Sequence, residues 1–262
     1  MLHELLTYLT TSVPSYVRNM DYLYESIALR GRYQRNQSTW QPHLDHSRHF
    51  VLSVAEKCQD RRRIVVLGAG LLLDVALDQL SAMFQEVVLL DIVVLPEVRR
   101  KVKKYENVRL VSRDVTNMAE NLYVNIQQGR TDLPESVPMI PEITDASLVV
   151  SLNVLSQLWV MPRAYALKKL RGIDEEKIDD WCSQIVQSHY AFLCSLSCPV
   201  CLIADHEFIK RDREGSIVSQ SSTVYGLALP APDATWTWNI IPRGEEHHAI
   251  SKELKVGAWL FL

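Results

Sequence analysis

Ile64-Val65-Val66-Leu67-Gly68-Ala69-Gly70 decides the fold. A short, unbroken apolar run of this kind suits a strand buried on both faces, as in a parallel sheet. It ends in two glycines, which let backbone approach a ligand closely. A helix is expected over Leu71–Phe84, and its N-terminus would add free N–H groups to the same place. A plain strand-to-helix turn would look the same, so the neighbours of this loop matter.

Toward the C-terminus the pattern repeats. Strands are expected at Val87–Asp91, Val108–Asp114, Ala146–Leu152 and Val200–Asp205. A basic amphipathic helix is expected over Glu97–Tyr105, and a long helix over Asp174–Ser197. Asp174, Glu175 and Glu176 suit the positive end of that long helix. Residues 120–145 carry Pro134, Pro138 and Pro141 and read as an irregular connection. Two last strands, Thr235–Ile241 and Val256–Leu262, flank a polar stretch through Arg243-Gly244-Glu245-Glu246. Alternating β and α units imply a doubly wound, mostly parallel α/β sheet, of seven strands on this count, with an antiparallel C-terminal hairpin. Ligands of such sheets bind at the carboxyl ends of the strands, near the reversal of strand order.

Toward the N-terminus the chain reads as helical. Leu2, Leu5, Leu6 and Leu9 recur at helical spacing. A second helix is expected from Pro14 and a third from near Pro42 to Cys58, with Arg30–Gln37 as a polar, basic loop between them. Residues 1–60 are thus expected to form a helical segment covering a substrate, and residues 61–262 the ligand-binding domain.

The totals agree with a globular protein. The chain has 262 residues, 47% hydrophobic and 23% charged, with a net charge of −3. A weakly acidic whole gives no field to gather polyanions, which argues against nucleic acid as the main partner. The five cysteines are odd in number. Met1–Met20 has no signal-peptide pattern, and no apolar run approaches the ~20 residues of a membrane span. A reduced, cytoplasmic protein is expected. Cys194, Cys198 and Cys201 straddle a helix end, a proline and a strand, and read as structural thiols rather than metal ligands.

Candidate site residues cluster at the strand ends. Asp91 closes the second strand and could accept two hydrogen bonds from a ribose diol. Asp114, at the tip of the third, could face the amine of an adenine or cap the following helix. Asn153 follows the fourth strand and could sit beside the reacting atoms, or be a buried capping amide. His206, directly after the fifth, could be a general base. In the N-terminal segment Tyr33, Trp40, His43 and His46 are candidates for an acceptor pocket, and Arg32 or Arg35 for gripping a carboxylate. His43, His46 and His49 stand at steps of three, but no further ligands are matched, so no metal is expected. Trp236 and Trp238 share one face of their strand and could pack on a helix or wall a pocket.

In this order the features resemble class I S-adenosylmethionine-dependent methyltransferases, over roughly Arg63–Leu262. Val-Leu-Gly-Ala-Gly-Leu-Leu at 66–72 resembles the first motif of that family. Asp91 is similar to its ribose-binding acid, Arg113-Asp114 to its adenine-side acid, Ser151–Leu158 to its segment after strand four, and the last two strands to its antiparallel ending. Val66 stands where the family usually has an acid, and Leu72 where it often has a third glycine. The resemblance implies a Rossmann-like methyltransferase fold. It also implies S-adenosylmethionine held by Gly68, Ala69, Gly70, Asp91, Asp114 and Asn153. The expected activity is methyl transfer to a small-molecule acceptor, with His206, Asn153 and His43 as catalytic candidates. A homodimer is left open. Alternatives are a non-catalytic binding or scaffolding module and an RNA methyltransferase using Arg61-Arg62-Arg63 and Arg99-Arg100-Lys101. A nicotinamide-binding Rossmann protein is a further alternative, but its third glycine fails at Leu73.

Overall fold

The computed structural model describes residues 2–245 and 248–261, apart from the side chains of Leu2 and His3. Leu262, the end of the last expected strand, lies outside the described residues.

The central sheet is built from β1 (Arg63–Leu67), β2 (Glu86–Asp91), β3 (Val108–Ser112), β4 (Leu148–Leu152), β5 (Val200–Arg211), β6 (Ile217–Ser222), β7 (Ala234–Ile241) and β8 (Ser251–Phe261). Its order is β3-β2-β1-β4-β5-β8-β7, with β6 paired to β5 off this path. Strands β1 to β5 run parallel, while β8 is antiparallel to β5 and to β7. Strand β4 and the interiors of β1 and β2 are buried on both faces, as their Val, Ile and Leu runs require. Register sets Leu67 beside both Leu90 and Ser151. Gly68, Asp91 and Asn153 therefore emerge together at one edge. There the order reverses, β1 and β4 diverging to opposite sides.

Helices α1 (Leu2–Thr10), α2 (Ser15–Asn19), α3 (Tyr22–Arg35) and α4 (Gln37–Lys57) precede the sheet. Val17, Leu23, Ile27, Val51 and Val54 join the same core as β1, α5 (Leu77–Met83) and α6 (Pro96–Val102). The opposite face is covered by α7 (Ala119–Gln127), α8 (Val160–Lys169) and α9 (Glu175–Cys194). Asp174 caps α9 by accepting the Glu176 N–H at 3.0 Å. No helix among the described residues is long and apolar enough to cross a membrane.

Four expectations need correction. The Arg30–Gln37 stretch is not a loop: α3 runs through Arg35 and breaks only at Asn36. Its Arg, Tyr and Gln residues permit a helix, and Arg30 is buried against Glu97 at 2.8 Å. The helix expected from Leu71 starts only at Leu77, because Leu72 takes a left-handed φ of 58°. Residues 120–145 are partly helical, since α7 occupies their start. Finally, β5 does not stop at Asp205. It runs to Arg211 and turns at Gly215 into β6, an eighth strand whose residues are all exposed.

Candidate functional site

A cavity of about 560 Å3 lies at the carboxyl ends of β1 to β4, lined also by α3 and α4. Gly68, Gly70, Asp91, Asp114 and Asn153 all line it, as do Arg32, Trp40 and His43.

The loop after β1 is shaped by backbone. Gly68 has φ +83°, and a Cβ there would lie 2.7 Å from the Leu152 carbonyl oxygen. Only glycine lets this loop touch the end of β4. Gly70 has φ +46°, and a Cβ there would make only an ordinary contact, 4.0 Å from Asp91 Oδ2. Ala69 is buried in the core rather than in the cavity lining. Leu72 takes the left-handed backbone that its glycine counterpart would favour, and is 1% exposed.

Two acids of the sequence reading differ in what they have left to offer. Asp91 accepts the Gly70 N–H on Oδ2 at 2.8 Å and the Val93 N–H on Oδ1 at 3.1 Å. A carboxylate has about four acceptor sites, so each oxygen retains capacity. Burial raises the Asp91 pKa, and these backbone bonds oppose the rise. Asp114 is more fully engaged. Its Oδ1 accepts from Thr116 N and Oγ1 at 2.9 and 2.6 Å, and its Oδ2 from Met118 and Ala119 N–H at 3.0 and 2.8 Å. It ties down the start of α7, and its side chain has little left for a nucleobase.

Asn153 leaves β4 with a left-handed φ of 50°, its N–H bonded to the Ile203 carbonyl at 2.8 Å. Its Nδ2 donates to Asp74 Oδ2 at 2.8 Å, while its Oδ1 is buried without a partner among the described residues. Asp74 is the residue that sequence reading missed. It lines the cavity, and burial raises its pKa to about 6, against the lowering effect of the Asn153 bond. The available signal was a lone acid in the apolar stretch just past Gly70.

His43 is 1% exposed, and burial, with the charge of His46 next, lowers its pKa to about 3. Its ring stacks flat on Trp238, centroids 4.0 Å apart, and its Nδ1 accepts the Trp236 Nε1–H at 3.0 Å. Trp40 donates to the Ile240 carbonyl at 3.0 Å and meets Trp238 edge-on. The two strand tryptophans therefore pack on a helix, and Trp238 also lines the cavity.

Other candidates lie elsewhere. His206 is not in the cavity lining: it sits where β5 bulges between Asp205 and Glu207, near the Trp259 ring, because the strand continues past it. Tyr33 packs on Trp40 and exposed His46 on Trp236, both outside the lining. Arg35 pairs with Glu245 at 2.7 Å. The three histidines differ in burial, His43 being buried and His46 and His49 exposed. No group of three or more metal-binding side chains occurs among the described residues.

No protein-family model matches the chain, and no curated protein does. Solved structures similar to it include a complex named DhpI-SAM-HEP, at 10% identity and TM-score 0.39 over 93% of this chain and 99% of that one. The N-methyltransferase NodS from Bradyrhizobium japonicum WM9, in complex with S-adenosyl-L-homocysteine, is 12% identical with TM-score 0.34 over 85% of this chain and 97% of its own. The 23S rRNA methyltransferase ErmE is 11% identical with TM-score 0.28 over 81% of this chain and 67% of its own. At such scores the fold rests on this chain's own strands. Their order, parallel core and antiparallel closing strands make the Rossmann-like fold of class I S-adenosylmethionine-dependent methyltransferases.

Proposed function

We propose that the protein binds S-adenosylmethionine in this cavity and transfers its methyl group to a small-molecule acceptor. One observation carries the reading. Two part-buried carboxylates, Asp74 and Asp91, face one cavity at the switch point, and neither forms a salt bridge among the described residues. A buried carboxylate is costly unless a proton, a cation or hydrogen bonds meet it. A ribose diol suits the spare acceptor sites of Asp91, and an ammonium suits Asp74. S-adenosylmethionine carries both groups.

In this reading Asp91 holds the ribose, and the Gly68–Gly70 backbone lets the ligand approach. Asp74, oriented by Asn153, meets the cationic amino-acid end. It thereby replaces the anchor missing at Val66, which is a fully buried core residue. When bound, S-adenosylmethionine supplies an electrophilic methyl on sulfur and leaves as S-adenosylhomocysteine. The protein's part is to hold an acceptor in line with that methyl and keep water out. Leu29, Trp40, Leu158, Met161, Trp238 and Ile240 give the rest of the cavity an apolar wall. Arg99, Arg100, Lys103 and Lys104 are exposed on α6 and just past its end, while Val98 and Val102 face inward. That is the arrangement of a solvated helix face, and an apolar, helix-covered cavity favours a small acceptor over RNA.

Thermal unfolding with S-adenosylmethionine or S-adenosylhomocysteine tests the reading. A ligand at about 100 times its Kd adds about 2.7 kcal/mol. Stabilisation by both is expected. No shift with either would leave a methyltransferase-like module that has lost the cofactor.

A further inference from the structure

The proton inventory around His43 points to the acceptor's chemistry. An indole N–H can only donate, so His43 Nδ1, which receives the Trp236 N–H at 3.0 Å, must be the bare ring nitrogen. A neutral imidazole then carries its proton on Nε2. The polar neighbour of Nε2 is Asn153 Nδ2, 3.4 Å away, which is itself a donor and already bonded to Asp74 at 2.8 Å. Two donors facing each other do not make a hydrogen bond. Turning the Asn153 amide would set its oxygen against the Asp74 carboxylate, which repels it while Asp74 is ionised. With Asp74 ionised, the His43 Nε2–H is thus a buried donor on the cavity lining with no acceptor among the described residues. The indole N–H of Trp238, stacked on His43, is a second buried N–H without a partner among the described residues. A buried donor left unpaired costs about 1–3 kcal/mol, so a constellation of this kind calls for a ligand oxygen.

Building on the methyltransferase reading, we infer that His43 is an acceptor-binding residue, locked by Trp236 as the Nε2–H tautomer, and that it donates to an oxygen of the methyl acceptor. The acceptor class is then a largely apolar molecule bearing a hydroxyl, carbonyl or carboxylate, with its body against Trp40, Trp238 and Met161. His43 is a donor here, not a general base, because its only basic nitrogen faces Trp236.

Long-range 1H–15N spectra of 15N-labelled protein, with and without S-adenosylhomocysteine, test this. The wild type should show a bare Nδ1 and a protonated Nε2 at His43, unchanged from about pH 5 to 8. Trp236→Phe should mix the tautomers. Phenol and benzoate should move the Nε2 proton downfield, and toluene should leave it in place. His43→Gln, which keeps an N–H, should retain phenol and benzoate binding, while His43→Leu should weaken both at least tenfold, about 1.4 kcal/mol. An Nδ1–H tautomer, an equal response to toluene, or no response to any of the three probes would overturn the inference. Normal tautomer and probe behaviour without S-adenosylhomocysteine binding would instead sink the cofactor reading and leave the His43 donor standing.

Discussion

Asp74 and Asn153, 79 residues apart, join through a 2.8 Å hydrogen bond that ties the loop after β1 to the end of β4. The bond closes the rim of the cavity at the sheet's switch point. It also leaves a part-buried carboxylate beside a cavity, with consequences for pH.

Asp74 is held at about 6, above its ordinary value of 3.8. A raised carboxylate pKa means the fold favours the protonated form. Its contribution is therefore full below 3.8 and is lost as pH rises through about 6. Asp74→Asn should raise the unfolding temperature at pH 8 and leave it unchanged at pH 4, read by calorimetry.

A ligand ammonium favours ionised Asp74, so affinity for S-adenosylmethionine should strengthen as pH rises from about 5 to 7. Asp74→Asn should flatten that dependence and weaken binding. Titration calorimetry at several pH values checks both, and a flat wild-type profile would remove Asp74 from the cofactor's cationic end.

Gly68 and Gly70 differ in a way one substitution can expose. An alanine Cβ at Gly68 would lie 2.7 Å from a carbonyl oxygen at φ +83°, whereas at Gly70 it meets only Asp91 Oδ2, at 4.0 Å, with φ +46°. Gly70→Ala should cost about 1–2 kcal/mol of backbone strain, and Gly68→Ala clearly more, because the clash adds to the strain. Denaturant unfolding of the two variants measures the difference.

Leu72 sets two effects against each other. Glycine would relieve about 1–2 kcal/mol of left-handed strain. It would also empty a site that is 1% exposed, and truncating a buried leucine costs about 2–5 kcal/mol. Leu72→Gly should therefore destabilise the protein, and a gain in stability would mean that the strain dominates.

Much of this was legible in the chain. The runs at β1, β2 and β4 announce strands buried on both faces, and the glycine pair followed by Asp91 one strand later marks the switch point. Asp74 showed only as a lone acid in an apolar stretch, because Leu71–Ala76 has helical composition and only the left-handed Leu72 reveals that the helix starts later. The His43 partnership with Trp236 spans 193 residues, beyond any local pattern. His206 misled because β5 carries on past the apolar run that marked its end. β6 lay hidden because a wholly exposed strand has no apolar alternation to read.

In the proposed function, Asp91 and the glycine loop hold S-adenosylmethionine. Titration calorimetry of S-adenosylhomocysteine into wild type and Asp91→Ala tests it most directly. Saturable binding to wild type, weakened at least tenfold, about 1.4 kcal/mol, in the variant is expected. Equal affinity in the two proteins, or no binding to wild type, would contradict it.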